Sequence, residues 1–243
     1  MNGASIAVQI MHRPAEALKR AVDHPRSWWM PALLIVASMA LLIGVSAPQQ
    51  VALANEQAGQ MLERITRNMS AEQAEMIRQR SQSMTVPRYW VTAGGVGLIL
   101  AALGWLLRGG LVHLLSALFG GVSEWKGTLC VSVWSMFPGF VRNVVQALYV
   151  GINGTLIEHQ GFAGLVATGD SIENSRDVIY TLLSNVDPFS LWHLVLFAIG
   201  ISVAIKVSRA KGAFLAVVIW LFLLGVKLLP LALANVFGVG ALG

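Results

Sequence analysis

The chain has 243 residues, of which 56% are hydrophobic and only 12% charged, a balance that excludes an ordinary soluble domain and defines an integral membrane protein. Seventeen Lys and Arg against twelve Asp and Glu leave a net charge of +5, but the basic residues flank apolar runs instead of forming a polar stripe, so a nucleic-acid partner is excluded. Cys130 is the single cysteine, which rules out a disulfide framework and Cys-based zinc or iron–sulfur sites.

In chain order, residues 1–27 form a first segment in which Met11, Pro14, Leu18 and Val22 recur at helical spacing, with Arg13, Lys19 and Arg20 available to a polar face. This pattern predicts an interfacial amphipathic helix with its apolar stripe on the membrane. Its charged residues exclude a signal peptide. A crossing of the hydrocarbon core takes about 20 apolar residues, and five stretches qualify. Span one occupies 28–48, opened by Trp28 and Trp29 and closed by Pro48. Residues 49–88 carry two helical patterns, Val51 to Arg67 and Ala71 to Gln82, the second started by a Ser70/Gln73 capping box, and predict an outer helical hairpin. Span two occupies 89–119 and is interrupted at Arg108-Gly109-Gly110, so that 111–119 either continues a kinked helix or lies in the interface. Span three falls within 120–152, an acidic outer loop within 153–186, span four within 187–207, and span five with an outer C-terminus within 208–243. The expected fold is therefore all-α: a five-transmembrane-helix bundle with an N-terminal interfacial helix and an outer hairpin.

Orientation follows from Lys and Arg in short loops. Arg13, Lys19, Arg20 and Arg26, then Arg108 and Lys126, then Lys206, Arg209 and Lys211 gather on one side, which is expected to be cytoplasmic. The N-terminus is then inside and the C-terminus outside. Sequons at Asn68-Met69-Ser70 and Asn153-Gly154-Thr155 fall on the outer side.

The chain contains no P-loop, GxSxG or HExxH motif. Gly238 to Gly243 spell GxGxxG, but with no following helix to bind a pyrophosphate. The five histidines show no ligand spacing, and neither a metal nor a cofactor is expected. Chemistry is concentrated in polar residues at membrane depth, because a charge at the bilayer centre costs about 2.5–3.5 kcal/mol on insertion scales. Arg142, Asn143 and Gln146 in span three, Asp187 and His193 in span four, and Lys227 in span five are predicted to converge on the outer leaflet. Arg142 is expected to pair with Asp187, with Asn143, Gln146 and His193 completing the network. Such a network either locks helix packing or serves translocation or proton relay.

Val186-Asp187-Pro188-Phe189-Ser190-Leu191-Trp192, then Val195-Leu196 and Ile199-Gly200-Ile201, a short basic loop and Trp220 in the last span look like the Yip family of Rab/Ypt-interacting polytopic membrane proteins. Trp125-Lys126-Gly127-Thr128-Leu129, Ser132 to Trp134 and Phe137-Pro138 add to the resemblance, as does the hairpin at Ser70-Ala71-Glu72-Gln73, which is similar to that of bacterial members. The likeness runs from about Pro87 to Val236. It implies five spans and a cytoplasmic N-terminus, and for eukaryotic members Rab binding in vesicle traffic. A GTPase partner is disfavoured here, because 27 residues precede the first Trp pair, and the resemblance then implies a bacterial-type member in the inner membrane.

Three function classes are weighed: a non-enzymatic organiser that shapes lipid or binds partner membrane proteins, a small-solute or ion transporter built on the polar cluster, and an intramembrane enzyme. The organiser is favoured. No inverted repeat supports transport, and no nucleophile–base constellation supports catalysis. The implied partners are the lipid bilayer and other membrane proteins, with homo-oligomerisation left open.

Overall fold

The structure is a computed structural model that describes residues 3–67, 69–81 and 83–236. Gln82, Asn68 of the first sequon and the terminal GxGxxG lie outside the described residues, which are built from helices and contain no strand. Among the described residues, four helical runs are long and apolar enough to cross a membrane: Pro25–Thr66, Val86–Leu118, Trp125–Asn153 and Arg209–Ala234. Val178–Ser184 and Pro188–Ala204 pass the same test only as a pair, bent by 67°.

The N-terminal segment departs from expectation. It forms two helices, α1 (Gly3–His12) and α2 (Pro14–Asp23), with Pro14 at the start of the second, where its missing N–H and fixed φ are harmless. The apolar face of α2 does not lie on lipid. Ala17, Leu18 and Ala21 are 0% exposed, and with Ile6 and Ile10 of α1 they share one core with Cys130, Trp134, Phe137 and Leu196. Met11, placed on the same stripe by spacing, is instead 66% exposed. The break at Arg13 rotates it out of register with Leu18. Polar bonds fasten the arrangement: Arg20 Nη1 donates to Gln9 Oε1 at 2.7 Å, Cys130 Sγ donates to the Ala21 carbonyl at 3.2 Å, and Trp134 Nε1 donates to Ser27 Oγ at 3.1 Å.

A short 3-10 turn, Pro25–Trp28, leads into α3 (Trp29–Thr66), a single helix that continues through Pro48. The span and the first arm of the expected hairpin are thus one 38-residue helix. The proline removes one backbone donor, but the helix continues past it to Thr66. The second arm, α4 (Ala71–Arg80), starts with the predicted capping box: Gln73 N–H donates to Ser70 Oγ at 3.3 Å and Ser70 N–H to Gln73 Oε1 at 3.4 Å. Asn55 ties the returning chain to α3 through two bonds to the Met84 backbone, at 2.7 and 3.0 Å.

The second run comprises α5 (Val86–Tyr89), a wider π-type turn at Trp90–Gly95, and α6 (Val96–Leu118). It passes Arg108-Gly109-Gly110 without a break, so 111–118 continues the helix. Gly109 is a packing position, since a Cβ there would stand 3.1 Å from Leu129 Cα. The third run breaks at Ser135-Met136 into α7 (Trp125–Trp134) and α8 (Phe137–Asn153), with Pro138 in the first turn of the second half. Beyond a loop come α9 (Ser171–Arg176), α10 (Val178–Ser184), α11 (Pro188–Ala204) and α12 (Arg209–Val236).

The ends of α6, α11 and α12 meet at one level. Lys211 Nζ donates to the Phe119 carbonyl at 3.1 Å and Val122 N–H to the Ile205 carbonyl at 3.1 Å. A second core of Val112, Val131, Phe197, Ile201, Ile205, Leu215 and Ile219 fills the bundle there. Gly200 makes this closeness feasible, because a Cβ would fall 2.4 Å from Val131 Cγ1.

Candidate functional site

The predicted polar cluster separates into two groups. Asp187 caps α11 through a reciprocal pair with Ser190: the Ser190 N–H donates to Oδ1 at 2.6 Å, and the Asp187 N–H donates to Ser190 Oγ at 2.8 Å. Pro188 follows in the first turn. The second carboxylate oxygen, Oδ2, lies 3.3 Å from Arg142 Nη1. One carboxylate therefore starts a helix and neutralises a cation from another helix. Arg142 keeps a 38% exposed side chain, while its Nε is buried with no hydrogen-bond partner among the described residues.

His193 lies six residues further along α11 and is bonded to neither member of that pair. Its Nδ1 is 2.8 Å from the Ser135 carbonyl. A carbonyl only accepts, so Nδ1 carries the proton. The break between α7 and α8 explains the contact: the Gly139 N–H donates to the Met136 carbonyl, leaving Ser135 without its regular helical donor. His193 supplies one, and its ring stacks on Phe197 with centroids 5.7 Å apart.

Asn143 and Gln146 face elsewhere. Asn143 Nδ2 donates to Ser38 Oγ on α3 at 3.1 Å, and Gln146 lines a separate cavity with Leu42, Ser46 and Gln50. The single network expected of Arg142, Asn143, Gln146, Asp187 and His193 is therefore corrected, because α3 and α11 pack on different sides of α8. Lys227 meets neither Arg142 nor Asp187 directly; its Nζ donates to Asn185 Oδ1.

Arg142, His193 and Lys227 nonetheless line one cavity of about 200 Å³. Sequence reasoning missed its fourth member, Arg108. The count of Lys and Arg grouped Arg108 with Lys126 between spans two and three, on the expected cytoplasmic side; the helix runs ten residues beyond it to Leu118. Arg108 then sits roughly 15 Å from that end, at 1.5 Å per residue. The continuing apolar run Leu111–Leu118 was the available signal.

The other family-like residues have identifiable jobs. Trp192 packs edge-on against Phe137 with centroids 6.2 Å apart, Phe189 lines the cavity, Pro138 restarts the broken helix, and Gly200 admits Val131. A polytopic helical membrane protein with a capped, close-packed Asp-Pro helix and a broken third run is the class these features define. The Yip1 domain matches residues 8–229, and the chain belongs to that family. It is similar to "Membrane protein YknW" of Bacillus subtilis (strain 168), with 25% identity over 215 residues that cover 87% of this chain and 83% of the relative. No solved structure matches.

Proposed function

We propose that this Yip-family protein is a non-enzymatic membrane organiser that binds partner membrane proteins, with five spans, an inner-membrane location, the N-terminus cytoplasmic and the C-terminus outside. The observation that carries this reading is the unshared face of the Val86–Leu118 run. None of the most apolar window of that run is buried within the protein; Val91 is 74% exposed, Leu100 62% and Ile99 61%. Close packing rather than hydrophobicity drives helix association in lipid, so such a face is free to receive another helix. Five spans are supported by the 17 residues of α11, enough for about 25 Å of crossing.

The test is site-specific photo-cross-linking in native membranes. Probes at Ile99 and Leu100 are expected to yield discrete protein adducts that recur between preparations, whereas a probe at Val112, fully buried, yields none. Adducts confined to lipid at every exposed position of this helix would refute partner binding through it.

A further inference from the structure

The cavity between α6, α8, α11 and α12 has an unbalanced lining. Arg108, Arg142 and Lys227 contribute three positive charges, and among the described residues no Asp or Glu lines it. Asp187 compensates one of them, its two oxygens engaged by Arg142 and the Ser190 N–H. Counting Asp187 against Arg142 leaves two cations, Arg108 and Lys227, without a counter-charge from the lining. Lys227 is met by the neutral Asn185 amide, and Arg108 has neither hydrogen bond nor ion pair among the described residues.

Position sharpens the imbalance. The Lys211–Phe119 contact fixes a common level for the ends of α6 and α12. Measured from there at 1.5 Å per residue, Arg108 lies at roughly 15 Å and Lys227 at roughly 25 Å. Cations therefore line the cavity over a stretch of roughly 10 Å, each carrying an insertion penalty unless an anion or water meets it. The remaining walls include Phe189, Trp220, Leu223 and Leu224. Basic groups at one place and apolar or aromatic surface beside them fit a charged head attached to an apolar body.

We propose that this cavity binds a phosphate-bearing anion through Arg108 and Lys227, with the Asp187-held guanidinium of Arg142 as its third cationic wall. Two sources present that chemistry, an anionic phospholipid headgroup and a soluble phosphate. The inference rests on the membrane-spanning reading and is independent of partner binding. A two-pronged guanidinium suits phosphate oxygens, and an ammonium adds a point charge.

The experiment uses the full-length protein in nanodiscs of phosphatidylcholine alone, with phosphatidylglycerol added, or with inorganic phosphate added at constant ionic strength. Thermal unfolding and retained lipid by native mass spectrometry are measured for the wild type, Arg108→Gln, Arg108→Lys, Lys227→Gln and the exposed control Lys19→Gln. Phosphatidylglycerol is expected to raise the midpoint and to be retained. Arg108→Gln and Lys227→Gln should each weaken retention about tenfold, Arg108→Lys should recover part of it, and Lys19→Gln should match the wild type. A midpoint raised by inorganic phosphate alone, and lost in Arg108→Gln, supports the same site with a soluble ligand. The proposal is overturned if neither anion protects, or if protection is equal in the wild type and both glutamine variants. Size-exclusion profiles and helicity in phosphatidylcholine alone check that the variants fold, and Arg108→Lys keeps the test decisive if Arg108→Gln does not.

Discussion

Leu18→Ala tests the burial of the N-terminal helices directly. Leu18 is 0% exposed and sits in the core that contains Cys130, Trp134, Phe137 and Leu196. Truncating a fully buried leucine removes its transfer free energy and leaves a cavity, which together cost about 2–5 kcal/mol. Three residues further along α2, the Ala21 carbonyl accepts the Cys130 thiol at 3.2 Å, so lifting α2 uncovers that sulfur. If α1 and α2 open as a local unit, labelling of Cys130 follows the open population. At a tenfold change per 1.4 kcal/mol, a loss of about 3 kcal/mol raises the labelling rate on the order of 100-fold. The assay is the initial rate of reaction of Cys130 with a membrane-permeant maleimide in nanodiscs, under conditions where the bundle stays folded. Met11→Ala is the control: Met11 is 66% exposed, and an exposed substitution is expected within about 0.5 kcal/mol of neutral. Equal rates for Leu18→Ala and the wild type would refute the packing and restore an α2 that lies on lipid. Leu18→Glu should be more severe than either, because it buries a charge in a protein core instead of placing it in the interface.

Arg142→Gln and Asp187→Asn should each destabilise the protein, and their double mutant should lose less than the sum, with a coupling of about 0.5–3 kcal/mol in detergent unfolding; strict additivity would mean that the 3.3 Å contact carries no energy. Gly200→Ala should lower stability by about 1–3 kcal/mol, because the new Cβ meets the stiff Val131 side chain at 2.4 Å. Gly225→Ala, with nothing within 4 Å of the added atom, should stay within about 1 kcal/mol of the wild type, and equal midpoints for the two variants would contradict the helix packing. Reporter fusions after Arg26 and at Arg209 should read cytoplasmic, and fusions at Ser70 and Gly169 exterior; an exterior signal at Arg209 would remove the five-span topology.

The features legible in the sequence are those decided within a turn or two of the chain. Membrane class follows from the apolar runs, because crossing lipid is a matter of local length and hydropathy. The Ser70/Gln73 box and the helix start at Asp187-Pro188 follow from side chains that act on backbone within a turn of themselves, and Pro138 marks the break in the third run because its ring and missing N–H act on neighbouring residues. Gly109-Gly110 left two readings open, since glycine is equally suited to interrupting a helix and to letting another backbone approach, and only the presence of Leu129 beside it decides which. The same limit applies to amphipathic faces. The stripe through Leu18 states that one side of α2 is apolar, but lipid and a protein core are equally apolar neighbours, and the choice belongs to Trp134 and Leu196, more than a hundred residues away. Partners of the polar residues were likewise settled across the bundle: Asn143 by Ser38, His193 by the carbonyl freed at Ser135, Lys227 by Asn185. Helical spacing fixes where a side chain points around its own axis, whereas the partner it meets depends on which helices pack on that side, and that is a property of the assembled bundle.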